Sequence, residues 1–141
     1  MKRVIFLASV ALAACAPRAA APTFEARDAW ARPADSAGTT AIYLVLVNRD
    51  TVPVTITGET SPLAASVSLH ETMEMSGMVH MMSLDSVQTI AAGDSLVLAE
   101  GAKHLMLIGL TRKLSAGDSV PLDLHFRDGR VHHATAVVRA P

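Results

Sequence analysis

Apolar and polar residues alternate along most of the chain after residue 40, in short runs of the kind that form β-strands. Val52 to Thr57 places Val, Val and Ile on one side and Pro, Thr and Thr on the other, a period of two residues. The same alternation or β-branched enrichment predicts strands over residues 41–47, 65–70, 95–98, 104–110, 120–126 and 131–138. No segment has a long apolar period of 3.6 residues with helix caps, so we expect little helix.

Turn signals separate these runs and indicate the fold class. Gly93, Gly101 and Gly117 each lie in a short polar segment between two predicted strands. About seven or eight short strands at this spacing predict an all-β sandwich or barrel. The strongest hairpin signal is Asp128-Gly129 between two alternating runs.

The predicted C-terminal hairpin raises the question of a metal site formed by two histidines. If Asp128-Gly129 is a two-residue turn, His125 lies directly across from His132. Two imidazoles in reach of one another could bind Cu(II) or Zn. We favour an exposed polar pair instead, because no third donor is visible.

The N-terminus is typical of a bacterial lipoprotein. Lys2 and Arg3 precede an apolar run over residues 4–12, which is too short for a permanent membrane helix. Leu12-Ala13-Ala14-Cys15 resembles a lipobox, and Cys15 is the only cysteine of the chain, which disfavours an ordinary signal peptide that happens to contain one. We predict a lipoprotein signal peptide (1–14), a lipidated Cys15 with a flexible tether (15–23), and one extracytoplasmic domain (24–141), anchored to a membrane in the periplasm or cell envelope.

Composition excludes several classes of function. The net charge is −1 and no basic run occurs, so we expect no nucleic-acid partner. With Cys15 used by the anchor, the domain has no disulfide, no thiolate nucleophile and no thiolate metal ligand. The Ser, His and Asp residues follow no hydrolytic motif, so we do not expect an enzyme. An electron-transfer cupredoxin is disfavoured as well, because its site needs a cysteine.

Methionine is concentrated in one stretch of the chain. Apart from the initiator, every methionine lies between residues 73 and 106, and five fall within residues 73–82. Methionine can fill irregular gaps in a core, but polar residues and Gly77 interrupt this stretch, so we interpret it as a loop. A polar loop has little reason to collect five thioethers, and thioethers bind soft cations. We therefore favour metal ligation by the cluster.

His104-Leu105-Met106 supplies further donors. Residues two apart on a strand share a face, so His104 and Met106 project together. His70 closes the predicted strand 65–70 and would give a third donor, and the Met-rich stretch would give the fourth. Zinc prefers thiolate or carboxylate to two thioethers, and calcium prefers oxygen, whereas two imidazoles and two thioethers suit Cu(I).

The spacing of these donors resembles that of a known family. His70, ten residues, Met81, 22 residues and then His104-Leu105-Met106 is similar to the His-x10-Met-x21/22-His-x-Met motif of the periplasmic copper chaperones called PCu(A)C. Flanking residues match too, including Gly77 and the segments 68–71, 91–93 and 101–107, and the likeness covers roughly residues 27–138. The resemblance implies a cupredoxin-like, Greek-key β-sandwich of about 7–9 strands with copper bound by His70, Met81, His104 and Met106. Met78, His80 and Met82 crowd the same stretch and are possible replacements or additions to Met81.

The resemblance also implies a function. Proteins of this family deliver copper in the cell envelope, chiefly to the Cu(A) centre of cytochrome c oxidase subunit II. We therefore expect a monomeric Cu(I) metallochaperone that exchanges copper with that subunit or with another donor or acceptor protein. The alternative is a metal-free structural or adhesive β-sandwich lipoprotein, because a fold alone does not determine function.

Overall fold

The computed structural model describes residues 23–140, and these residues form ten β-strands without any helix. The predicted signal peptide, Cys15 and most of the tether lie outside the described residues. Within the described range, no helix is long and apolar enough to cross a membrane. The strands are β1 (Phe24–Ala31), β2 (Thr39–Asn48), β3 (Val54–Thr60), β4 (Ala64–Met75), β5 (Met78–Ser83), β6 (Gln88–Ile90), β7 (Ser95–Leu98), β8 (Lys103–Leu110), β9 (Ser119–Phe126) and β10 (Val131–Val138).

The strands form one mixed sheet that folds around a single core. Their order is β5-β4-β8-β2-β1-β10-β9-β3-β6, and β7 pairs with the second half of β2 beside β8. The neighbours β1 and β10 are parallel, whereas the other pairs are antiparallel. The prediction of an all-β, cupredoxin-like sandwich is therefore confirmed. The structure has ten strands, more than the seven to nine expected.

Alternation of side chains places the core on one face of each strand. In the central parts of β2, β8 and β9, every second residue is an almost completely buried aliphatic side chain, and together they pack as one cluster. Its largest fully buried members are Ile42, Leu44, Leu46, Ile56, Leu69, Leu105, Leu107, Leu114, Leu122 and Leu124. The opposite face of β4 and β8 is therefore free to carry other side chains.

The Met-rich stretch is not a loop, and that prediction is wrong. Residues 70–75 of β4 pair in register with residues 78–83 of β5, and they form a hairpin closed by Ser76-Gly77. Both turn residues have positive φ, 55° and 75°, as a two-residue type I′ turn requires. Polar residues interrupt the stretch because the hairpin is solvated on both faces, and they do not break the strands.

The predicted opposition of His125 and His132 is also wrong. Phe126 N–H donates to the Arg130 carbonyl at 2.9 Å, so the turn contains three residues instead of two. The extra residue shifts the register, and His125 lies across from Val131 while His132 lies across from Leu124. The two imidazoles consequently point to opposite faces of the sheet and cannot share an ion.

Candidate metal centre

His70 and His104 lie directly opposite one another in the antiparallel pair β4–β8. Their ring centroids are 6.2 Å apart and the rings are inclined by 32°. The next pair in the same ladder, Leu69 and Leu105, is buried in the core, so the two histidines project from the other face of the sheet. The pairing of β4 and β8 thus brings together two imidazoles that are 34 residues apart in the sequence.

Met106 shares this face with His104. It lies across from Ser68 on β4, two positions along the ladder from the histidine pair. The alternation His104-Leu105-Met106 places the imidazole and the thioether on one side and Leu105 in the core, as the sequence predicted.

Met81 reaches the same face from the edge strand β5. It lies across from Thr72, and this position is diagonal to His70. Thr72, Met81, His104 and Met106 line one open cleft together with Tyr43. Met81 is 54% exposed, whereas His104 is 3% exposed, so the cleft is buried at one side and open at the other. His70 does not line this cleft and lies next to it, across the strand pair from His104.

The other donors of β5 lie on the opposite face of the hairpin. Met78, His80 and Met82 alternate with Val79 and Met81 along the strand, so they point away from His70. Of the donors on β5, only Met81 therefore lies on the face that carries His70, His104 and Met106.

A hydrogen bond determines which nitrogen of His104 is free. Nδ1 lies 3.0 Å from the carbonyl oxygen of Ala102, and a carbonyl can only accept, so Nδ1 carries the proton. The lone pair of Nε2 is then available to a ligand. This arrangement is the usual one for metal-binding histidines, whose second nitrogen is held by a carbonyl or carboxylate.

His70 has an unpaired nitrogen of its own. Nε2 hydrogen-bonds with Ser68 Oγ at 2.9 Å, while Nδ1 is buried and has no hydrogen-bond partner. An unpartnered buried nitrogen is costly unless something else occupies its lone pair. Burial, followed by the nearby His104, lowers the pKa of His70, which favours the neutral form that can bind a cation.

An aromatic and charged wall lines one side of the cleft, and no motif in the sequence marks it as part of the site. The Tyr43 ring lies 6.0 Å from that of His104 and is itself packed against Trp30 at 4.6 Å. Arg32 lines the cleft and forms an ion pair with Glu100. The β2–β8 pairing could have indicated Tyr43, but only if the register of the two strands were known.

The donors at this site are nitrogen and sulfur. Across residues 23–140, no group of three or more His, Cys, Asp or Glu side chains could hold a metal ion. In the described part of the chain, the further donors on the face of His70 and His104 that suit a soft cation are the thioethers of Met81 and Met106. The arrangement suits a soft, singly charged cation better than a hard one.

Comparisons with known proteins agree with this fold. The family model described as "LpqE-like: Putative lipoprotein LpqE-like" matches residues 24–138. The protein named "Putative lipoprotein Lxx21020", from Leifsonia xyli subsp. xyli (strain CTCB07), is 39% identical over 101 residues, which are 72% of this chain. The chain spans 60% of the length of that relative.

Solved structures with the same fold include copper-binding domains. The copper-bound PCuAC domain from PmoF2 is similar with a TM-score of 0.67 at 19% identity, covering 86% of this chain and 97% of that one, a likeness of fold. The solution structure of apo-DR1885 from Deinococcus radiodurans has a TM-score of 0.64 at 31% identity and covers 100% of this chain and 95% of that one. The CuI form of DR1885 has a TM-score of 0.59 at 32% identity, covering 80% and 77% of the two chains.

Proposed function

The chain belongs to the LpqE-like family and has the fold of the PCuAC domains, and from this premise we propose that it is a Cu(I)-carrying protein of the cell envelope. The observation that carries the proposal is the facing pair His70 and His104. Each has one nitrogen held by a hydrogen bond and one left over, and both share a face with Met81 and Met106.

The four side chains would hold the ion through His70 Nδ1, His104 Nε2 and the two thioether sulfurs. These ligands are neutral, so a bound Cu(I) keeps its single charge and is held without a strong electrostatic attraction. Outside the cytoplasm thioethers have a further advantage over thiolates, because they do not form disulfides. The related protein DR1885 has been solved with CuI, which supports the choice of metal.

The open side of the site supports transfer of the ion. Met81 lies on the outermost strand of the sheet and its side chain is half exposed, whereas His104 is buried. An incoming ligand from a partner protein can displace the exposed thioether first while the histidines still hold the ion. We propose the Cu(A) site of cytochrome c oxidase subunit II as the acceptor, with copper as cargo and no substrate turned over.

We further propose that a lipid on Cys15 anchors the protein outside the cytoplasm. The lipobox-like sequence before Cys15 and the lipoprotein family to which the chain belongs support this proposal. When the chain is expressed in a bacterium, Cys15→Ser should abolish labelling with an alkyne fatty acid. Continued labelling of Cys15→Ser would contradict an anchor at this residue.

X-ray absorption at the copper edge of the Cu(I)-loaded protein tests the site directly. The expected shell contains two nitrogen and two sulfur donors, and it should lose one sulfur in Met81→Leu. A titration against a competing Cu(I) chelator tests the function against the alternative of a metal-free structural or adhesive lipoprotein. Failure to compete with the chelator would favour that alternative.

A further inference from the structure

The hairpin of β4 and β5 has a second face that the proposed copper site does not use. Met78, His80 and Met82 of β5 lie on this face, and Met73 and Met75 join them from β4. We call these five residues the back face of the hairpin. Four thioethers and one imidazole are therefore gathered on the side opposite to Met81.

The pairing register brings these donors within reach of one ion. Met73 lies directly across from His80, and Met75 lies directly across from Met78. The Cβ atoms of directly opposed residues are about 4.5–5.5 Å apart, and neighbours two positions along a strand are about 7 Å apart. Methionine has three rotatable side-chain bonds, so the sulfur of Met73 and that of Met82 or Met78 can turn towards His80.

The exposure of these methionines argues against a packing role. The pairing of β4 with β8 ends at Glu71, so the tip of the hairpin extends beyond the neighbouring strand and the core. The exposed fractions of Met73, Met75, Met78 and Met82 are 41%, 54%, 60% and 49%, and His80 is exposed as well. Large apolar side chains clustered in this way on a surface usually mark a site of interaction.

We propose that the back face is a second binding site for Cu(I), formed by His80, Met73 and a thioether from Met78 or Met82. It extends the proposed function, because it takes the same ion, but it is built from different residues. The site is fully open to solvent and needs no thiolate or carboxylate, so we expect it to bind more weakly than the facing histidines.

The position of the back face suggests its use. β5 is the outermost strand of the sheet, and Met81 is flanked in sequence by His80 and Met82. An ion on the back face is thus separated from the His70 site only by one edge strand, which no further strand covers in the described residues. Successive exchange of thioethers around this edge would carry Cu(I) between the two sites without any change in its oxidation state.

Two variants of the whole protein separate the sites. The back-face variant combines Met73→Leu, His80→Gln and Met82→Leu. The front-face variant changes the proposed copper site on the other side of the sheet, and it combines His104→Gln and Met106→Leu. Leucine conserves the volume of methionine, and the three back-face positions are exposed, so the fold of that variant should survive. Val79→Leu, on the other face of the same strand, is the matched control without a lost donor.

Anaerobic Cu(I) titration against a competing chelator measures the number and the affinity of the sites. NMR of 13C-labelled methionine methyl groups identifies the thioethers that bind the ion. We expect two equivalents for wild type and for Val79→Leu, one tight equivalent for the back-face variant, and one weaker equivalent for the front-face variant. In wild type, the methyl signals of Met73 and of Met78 or Met82 should move with the second equivalent.

Two results would overturn the second site: a single equivalent in wild type that the front-face variant weakens or loses, or two equivalents in the back-face variant with a native spectrum. Failure of the proposed function looks different. In that case the front-face variant would bind its tight equivalent as wild type does, whatever happens at the back face.

Discussion

His70 and His104 face one another across a strand pair, with 6.2 Å between their ring centroids. Neither residue lies on a flexible loop, because β4 and β8 are paired from Ala64 to Glu71 and each has a core residue next to its histidine. A site placed on paired strands is more precise than one placed on loops, and it needs little rearrangement to receive an ion. Met81, on the solvated hairpin, is the most exposed of the four proposed ligands.

Loss of the Met106 thioether should weaken the binding of soft metals only. We expect Met106→Leu to weaken Cu(I) binding by at least about 100-fold, more than the 10–100-fold typical of a lost supporting contact. Binding of Zn or Cu(II), for which the imidazoles are the better ligands, should change little. Competition titrations with the three ions provide the measurement. Equal losses for all three would mean that Met106 supports the site without ligating the metal.

The hydroxyl of Ser68 should orient the His70 ring. It lies 2.9 Å from Nε2, and its removal frees the ring to turn Nδ1 away from the site. We expect Ser68→Ala to lower Cu(I) affinity by about tenfold, as other changes behind a metal ligand do. Ser66→Ala is the matched control, because Ser66 lies two residues earlier on the same face of β4. If both variants bind as wild type does, Ser68 has no orienting role.

Protonation of the histidines should compete with the ion. Burial and the nearby His104 lower the pKa of His70 from the ordinary value of 6.5, so this ring stays neutral through the physiological range. We expect Cu(I) affinity to be nearly constant at neutral pH. It should then fall by up to about tenfold per pH unit for each imidazole as acid protonates it. Titrations at a series of pH values in wild type and His70→Gln give the test, and the variant should have the shallower slope. If acid leaves the affinity unchanged down to the pH at which the protein unfolds, histidine ligands are excluded.

Side-chain alternation was a reliable guide where one face of a strand is buried. The predicted strands 95–98 and 131–138 have the same bounds in the structure, and the shared face of His104 and Met106 was predicted from the period of two. The hairpin β4–β5 was missed because both of its faces at the tip meet solvent. Without a buried face, the apolar and polar residues of a strand need not alternate, and its sequence looks like that of a loop.

Register was the other property that the sequence left open. The Asp128-Gly129 signal predicted a hairpin correctly, but the turn has one more residue than expected and this reverses the faces of the following strand. For the same reason, the sequence does not determine whether Met78, His80 and Met82 share a face with His70, because this depends on the register of β4 with β5. Cross-strand pairing is decided by turn geometry and by distant packing, which a single sequence does not display.

Glu59 should make the stability of the protein depend on pH. Its side chain is 8% exposed, it lies across from the buried Leu124, and its Oε2 atom has no hydrogen-bond partner. Burial raises the pKa of Glu59 to about 7 from 4.5. Below the unfolded pKa of about 4.5, the carboxyl is neutral in both states and does not lower the free energy of unfolding. As the pH rises from about 4.5 to about 7, the unfolded chain ionises first, so the free energy of unfolding falls.

Replacement of Glu59 by glutamine removes this charge while keeping the shape of the side chain. We expect Glu59→Gln to be more stable than wild type by about 1–3 kcal/mol above pH 7, and to differ little from it below about pH 4.5. Urea unfolding followed by circular dichroism between about pH 4 and 9 measures the difference. Glu74→Gln, at an exposed position of the hairpin, is the control and should follow the wild-type curve. If the curves of Glu59→Gln and wild type run parallel over this range, Glu59 is ionised in the folded protein and its burial is compensated.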